Sequence, residues 1–151
     1  MIEHVWSVLC EQALQNPKNG AMSYINTLDE LPINSVNKDT GELALKPFMI
    51  ATKWKKNSEE KVKLSIKIEL LGDSEENKEY LGVQEVDLDE GAAMIALNID
   101  ITKMIVQASS KFHGFEVTYK WNKQRKFRKA AMLPFSIRKP KKHKREAGKN
   151  N

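Results

Sequence analysis

Hydrophobic and polar residues alternate along most of this chain. Val62, Leu64, Ile66, Ile68 and Leu70 interleave with Lys61, Lys63, Ser65, Lys67 and Glu69, the pattern of a strand with one buried and one wet face. Phe115, Val117, Tyr119 and Trp121 form a second such row, and Phe127 to Ile137 a third. With Asn122 to Arg125 as the polar connection, these two predict an antiparallel hairpin. Ile2 to Cys10 and Ala21 to Leu31 predict another, reversed at Asn16-Pro17-Lys18-Asn19-Gly20 by a proline and an Asn-Gly pair. Asn34 to Glu42 reads as a polar loop, after which Phe48, Ile50, Thr52 and Trp54 alternate again.

Two stretches are less regular. From about Lys78 to Leu88, Leu81 and Val83 share one parity and Val86 and Leu88 the other. A one-residue bulge near Gln84 or Glu85 keeps both pairs inside. Gly91 to Gln107 fits either period, but Ile, Asn and Thr crowd its middle and favour strand. The pattern as a whole predicts an all-β chain: one antiparallel β-sandwich of about eight strands, of C2 or immunoglobulin-like architecture, over residues 1–137. Its expected core comprises Val5, Trp6, Val8, Tyr24, Leu28, Phe48, Ile50, Trp54, Leu64, Ile66, Ile68, Leu81, Leu97, Ile99, Phe115, Val117, Tyr119, Leu133 and Phe135. Pro134 cannot donate to a ladder, so its strand is expected at a sheet edge.

Composition changes the picture at one end only. The 151 residues carry a formal charge of +5. Residues 1–110 hold 11 basic and 18 acidic side chains, whereas residues 111–151 hold 14 and 2. Residues 138–151 contain seven basic groups, one acidic group and no aliphatic beyond Ala147, so they read as a disordered Lys/Arg-rich tail. No apolar run reaches the roughly 18 residues of a membrane span, and no basic leader precedes an apolar stretch. The single cysteine, Cys10, forms no internal disulfide, and a reducing cytoplasm is the expected compartment. Lysine outnumbers arginine 21 to 4, a bias expected of an AT-rich bacterial or phage genome.

Candidate chemistry is sparse. Cys10 and His4 lie about 20 Å apart along a regular strand, so they form no local nucleophile–base pair; Cys10 reads as a small buried hydrophobe and His4 as a strand-surface or sheet-end residue. The three histidines fall in separate regions and the seven glycines never cluster, against a zinc site or a phosphate-cradling loop. No catalytic constellation is visible, no cofactor is expected, and the chain reads as a non-enzyme. Asp73, Glu75, Asp87 and Asp89 offer hard oxygen donors for calcium as a minor alternative. The basic end is the strongest compositional signal. Lys120, Lys123, Arg125, Lys126, Arg128 and Lys129 on the hairpin, with Arg138, Lys139, Lys141, Lys142, Lys144 and Arg145 beyond it, suit a phosphate backbone, with Trp121 or Phe127 to stack on bases.

Cys10, Glu11, Ser23, Ile25, Asn26 and Asp29, within VWSVLCEQAL, a polar turn and MSYINTLDEL, resemble the opening of a family of small bacterial and phage-associated β-sandwich domains of unknown function. Gly114-Phe115-Glu116-Val117 and Leu133-Pro134-Phe135 are similar to its closing hairpin. The resemblance implies the sandwich and carries no catalytic residues. The expected function is therefore a non-enzymatic binding or adaptor domain that meets a protein partner through edge strands or loops. The alternative is binding of RNA or single-stranded DNA through the basic hairpin and tail.

Overall fold

The computed structural model describes residues 1–72, 78–109 and 114–138. Every regular element among them is a strand: β1 (Ile2–Gln15), β2 (Met22–Thr27), β3 (Glu30–Val36), β4 (Glu42–Leu45), β5 (Phe48–Lys56), β6 (Val62–Leu71), β7 (Lys78–Leu88), β8 (Ala93–Ile101), β9 (Ile105–Gln107), β10 (Gly114–Trp121), β11 (Arg128–Pro134) and β12 (Ser136–Arg138). They form three four-stranded sheets, ordered β2-β1-β5-β8, β11-β10-β6-β7 and β12-β3-β4-β9. The expected all-β class holds, but about eight strands in one sandwich becomes twelve in three sheets. No helix among the described residues is long and apolar enough to cross a membrane.

The first two sheets face each other across a shared core. Phe48 on β5 meets Phe115 on β10 at 5.6 Å between ring centroids, and Trp54 meets Tyr119 at 4.9 Å. Leu64, Ile66, Ile68 and Leu70 of β6 fill the space between, as the alternation requires. The third sheet adds Leu31, Leu43, Leu45 and Val106 to the same core, Met104 joins it from just before β9, and Phe135 stacks on Phe115 at 4.8 Å. Sequence periodicity missed this sheet because its strands are short. β4 has four residues and β9 three, too few for an alternating run to stand out from a loop. Its β12 pairs with β3 in parallel, Ile137 opposite Leu31, the one departure from antiparallel pairing among the described strands.

Single residues decide several boundaries. The expected Ala21–Leu31 strand breaks at Leu28 and Asp29 into β2 and β3, and within β2 Asn26, at φ 51°, takes the left-handed conformation that Asn tolerates better than most residues. The predicted reversal after β1 closes as expected, with the Asn16 and Gly20 amides donating to the Ala21 and Asn16 carbonyls at 2.8 Å. The Gly91–Gln107 stretch is strand, as β8 and β9. In β7 the bulge sits at Leu81, since Ile68 pairs with Gly82 and Glu69 with Tyr80. This differs from the expected place near Gln84, and it turns Val83 outward while Gln84 points inward. β11, which ends at Pro134, is the edge strand expected of it.

A second bulge corrects the predicted core. The β1–β5 register shifts between His4 and Trp6, leaving Val5 45% exposed. Beyond it Trp6 and Val8 sit opposite Lys53 and Ala51, on the face away from Trp54. Trp6 meets Tyr24 there at 5.0 Å. Ile2 and Leu9 take the inward places instead.

Candidate functional site

The β10–β11 hairpin carries the predicted cations. Lys120 and Lys67 hold their ammonium groups 4.9 and 5.0 Å from the centre of the Phe127 ring, and the Arg128 guanidinium lies 5.0 Å from that of Trp121. Such cation–π contacts occupy the aromatic faces that base stacking needs. Trp121 also stacks on Tyr119 at 5.9 Å and joins the core edge. Lys129 lies 3.6 Å from Glu116. Lys123, Arg125 and Lys126 are exposed in the turn and make no ion pair among the described residues. Arg138 is apart from this group: it belongs to β12, where its Nε donates to Glu30 at 2.9 Å, so the folded chain extends through a residue expected in the tail. Lys139, Lys141, Lys142, Lys144 and Arg145 lie outside the described residues, as do Asp73 and Glu75.

Of the four acidic calcium candidates, Asp87 and Asp89 are among the described residues. Asp87 lies on β7 opposite Lys63, and Asp89 contributes its backbone carbonyl to Lys56. Among the described residues no three His, Cys, Asp or Glu side chains converge as a metal site requires. Cys10 is fully buried, and burial pushes its thiol pKa up, away from a reactive thiolate. His4 lies near the start of β1 and faces inward rather than to the surface. The β1 bulge sets both His4 and Ser7 on the inner face, where His4 packs against Trp54 at 4.9 Å and its Nε2 shares a 2.7 Å hydrogen bond with Ser7 Oγ. Burial lowers the His4 pKa. No carboxylate among the described residues hydrogen-bonds to His4, so the pair lacks the third member of a nucleophilic triad.

The corner between β7 and β8 is different. Both are edge strands, of 11 and nine residues, and each leaves one row of backbone donors and acceptors without a strand partner among the described residues. Between them opens an apolar groove of about 110 Å³ lined by Ile68, Leu81, Gly82, Val83, Gln84, Ile99 and Ile101. The bulge makes it. Gly82, placed opposite Ile68, offers no side chain, and nothing lies within 4 Å of where a Cβ would stand. Ligand pockets start at about 300 Å³, so the groove is too small for a cofactor and matches an inserted side chain. Of this lining Val83 is 40% exposed, and Tyr80, the residue before Leu81 on β7, is 61% exposed.

A residue that sequence reasoning passed over fixes this corner. Lys56, only 1% exposed, donates from Nζ to the carbonyls of Ser58, Asp89 and Gly91 at 2.8, 2.7 and 2.8 Å. All three donors of the ammonium are used, and the β7–β8 turn is tied to the β5–β6 turn. The signal was present, because Lys56 continues the inward row of Phe48, Ile50, Thr52 and Trp54. No protein-family model and no curated protein matches the chain.

Proposed function

We propose that this chain is a non-enzymatic binding domain that takes up a protein partner along the open edge of β7 and β8. The observation that carries the reading is the pairing of two long free edges with an apolar groove sized for side chains. Strand addition uses this combination: the edge supplies backbone hydrogen bonds and the groove supplies specificity. In this proposal the first two sheets form one sandwich of C2 or immunoglobulin-like architecture, and the third sheet closes its end. The resemblance to small bacterial and phage-associated β-sandwich domains and a cytoplasmic setting belong to the same proposal.

The nucleic-acid alternative is favoured by the cations at Lys123, Arg125 and Lys126 and opposed by the covered faces of Trp121 and Phe127. Affinity capture from extract of the source organism separates the two. A protein retained by the wild type and by a Lys123→Glu/Arg125→Glu variant, but lost with Val83→Lys, supports the edge. Retention lost only with the hairpin variant and abolished by nuclease overturns it.

A further inference from the structure

The open corner has a chemistry that selects its occupant. Resting on the reading that this edge binds a protein partner, we infer that the occupant is an extended cationic segment, with apolar residues alternating with Lys or Arg, added as a further strand beside β7.

A strand laid along the free edge of β7 continues the second sheet, and its side chains point alternately to the two faces. Those on the inner face enter the groove against Leu81, Ile99 and Ile101. Those on the outer face stand beside Val83, Glu85 and Asp87, within the ~5 Å of cross-strand neighbours. Glu85 is held by Lys63 at 2.8 Å, whereas Asp87 makes no ion pair among the described residues. Across residues 78–101 the chain has six carboxylates and one cation, Lys78, whose ammonium lies 3.2 Å from Glu116. On the outer face, the β6 cations Lys63 and Lys67 stand opposite Asp87 and Val83, but they are paired with Glu85 and Glu69, so an arriving strand meets apolar surface on one face and, on the other, the carboxylate of Asp87 directly beside it.

The same charges disfavour the other occupants. Two copies pairing β7 with β7 set these carboxylates against one another, which destabilises a sheet. Residues 139–151 supply lysines but no Val, Leu or Ile, so they leave the groove empty. A partner strand that alternates apolar and basic residues satisfies both faces at once.

The test uses the full chain and three acetylated, fluorescein-labelled eight-residue peptides, alternating Lys with Val, Glu with Val, and Lys with Ser, with anisotropy read at low and moderate salt. The Lys–Val peptide is expected to bind at least about tenfold more tightly than either of the others, to weaken as salt rises, and to protect β7 amides from hydrogen exchange. Val83→Lys and Asp87→Lys, both surface changes checked for folding by circular dichroism, are expected to lose that binding at least about tenfold. Equal binding of the Glu–Val peptide overturns the cationic partner while leaving the edge as the binding surface. Equal binding of the Lys–Ser peptide shows charge attraction without groove insertion and overturns strand docking. Unchanged binding by both variants places the site elsewhere, and no binding by any peptide overturns this inference together with the reading beneath it. A dimer of the free protein that Val83→Lys dissociates makes a second copy the occupant and overturns the inference.

Discussion

Removing the ammonium of Lys56 leaves the carbonyls of Ser58, Asp89 and Gly91 without their shared donor in a place that water reaches poorly. Lys56→Met keeps the stem and deletes the charge, and it is expected to lower the unfolding free energy by about 2–4 kcal/mol. A urea midpoint that falls with unchanged slope checks this. Gly114 is as tightly specified. A Cβ there would lie 2.5 Å from the Leu133 carbonyl oxygen and 2.9 Å from Pro134 Cα. Both neighbours are backbone, so Gly114→Ala must displace β11, at a cost of about 1–3 kcal/mol, measurable as a lower Tm. His4 gives the fold a pH dependence. Its folded pKa is lowered from 6.5 by burial, so the unfolded chain takes up the proton first. The stability it contributes is complete above pH 6.5 and is lost as pH falls through the folded value. Thermal melts between pH 7.5 and 5 are expected to show Tm falling, with a shallower fall in His4→Gln.

Bulges are the elements on which sequence and structure part. A bulge reverses strand parity from that point on, and alternation alone does not reveal which residue is extra. In β7 two incompatible parities announce a bulge but leave its position open; the structure puts it at Leu81, and the groove exists because Gly82 then faces Ile68. In β1 apolar residues occupy both parities from Val5 to Leu9, so either face reads as buried, and the shift between His4 and Trp6 sends Trp6 outward. The two tryptophans on opposite faces of the first sheet test this assignment. Trp54→Ala, at a fully buried position, is expected to cost about 3–5 kcal/mol. Trp6→Ala removes a half-buried ring and is expected to cost clearly less, a difference that equilibrium denaturation of the two variants resolves.

Across the whole molecule, charge follows the order of the strands. In the second sheet β11 and β7 are opposite edges. Residues 118–138, which include β11, carry seven basic groups and no acidic one, whereas residues 78–101, which include β7, carry six acidic and one basic. The net charge of +5 therefore describes neither edge. On a heparin column, Lys123→Glu/Arg125→Glu is expected to elute at lower salt than the wild type, and Glu85→Gln/Asp87→Asn at slightly higher salt.

The sequence alone determined the all-β class, the hairpins at Asn16–Gly20 and Asn122–Arg125, the edge position of the Pro134 strand and the inward rows of β5, β6 and β10. Those features rest on local rules, side-chain alternation and turn chemistry, which act between residues near one another in the chain. Tertiary structure alone decided which edges stay open, where the bulges fall, that short strands gather into a third sheet, and that Lys67, Lys120 and Phe127 meet. Each of these depends on contacts between segments tens of residues apart. Periodicity states which face of a strand is apolar, but only packing states what comes to cover it, and at the β7–β8 corner nothing among the described residues does.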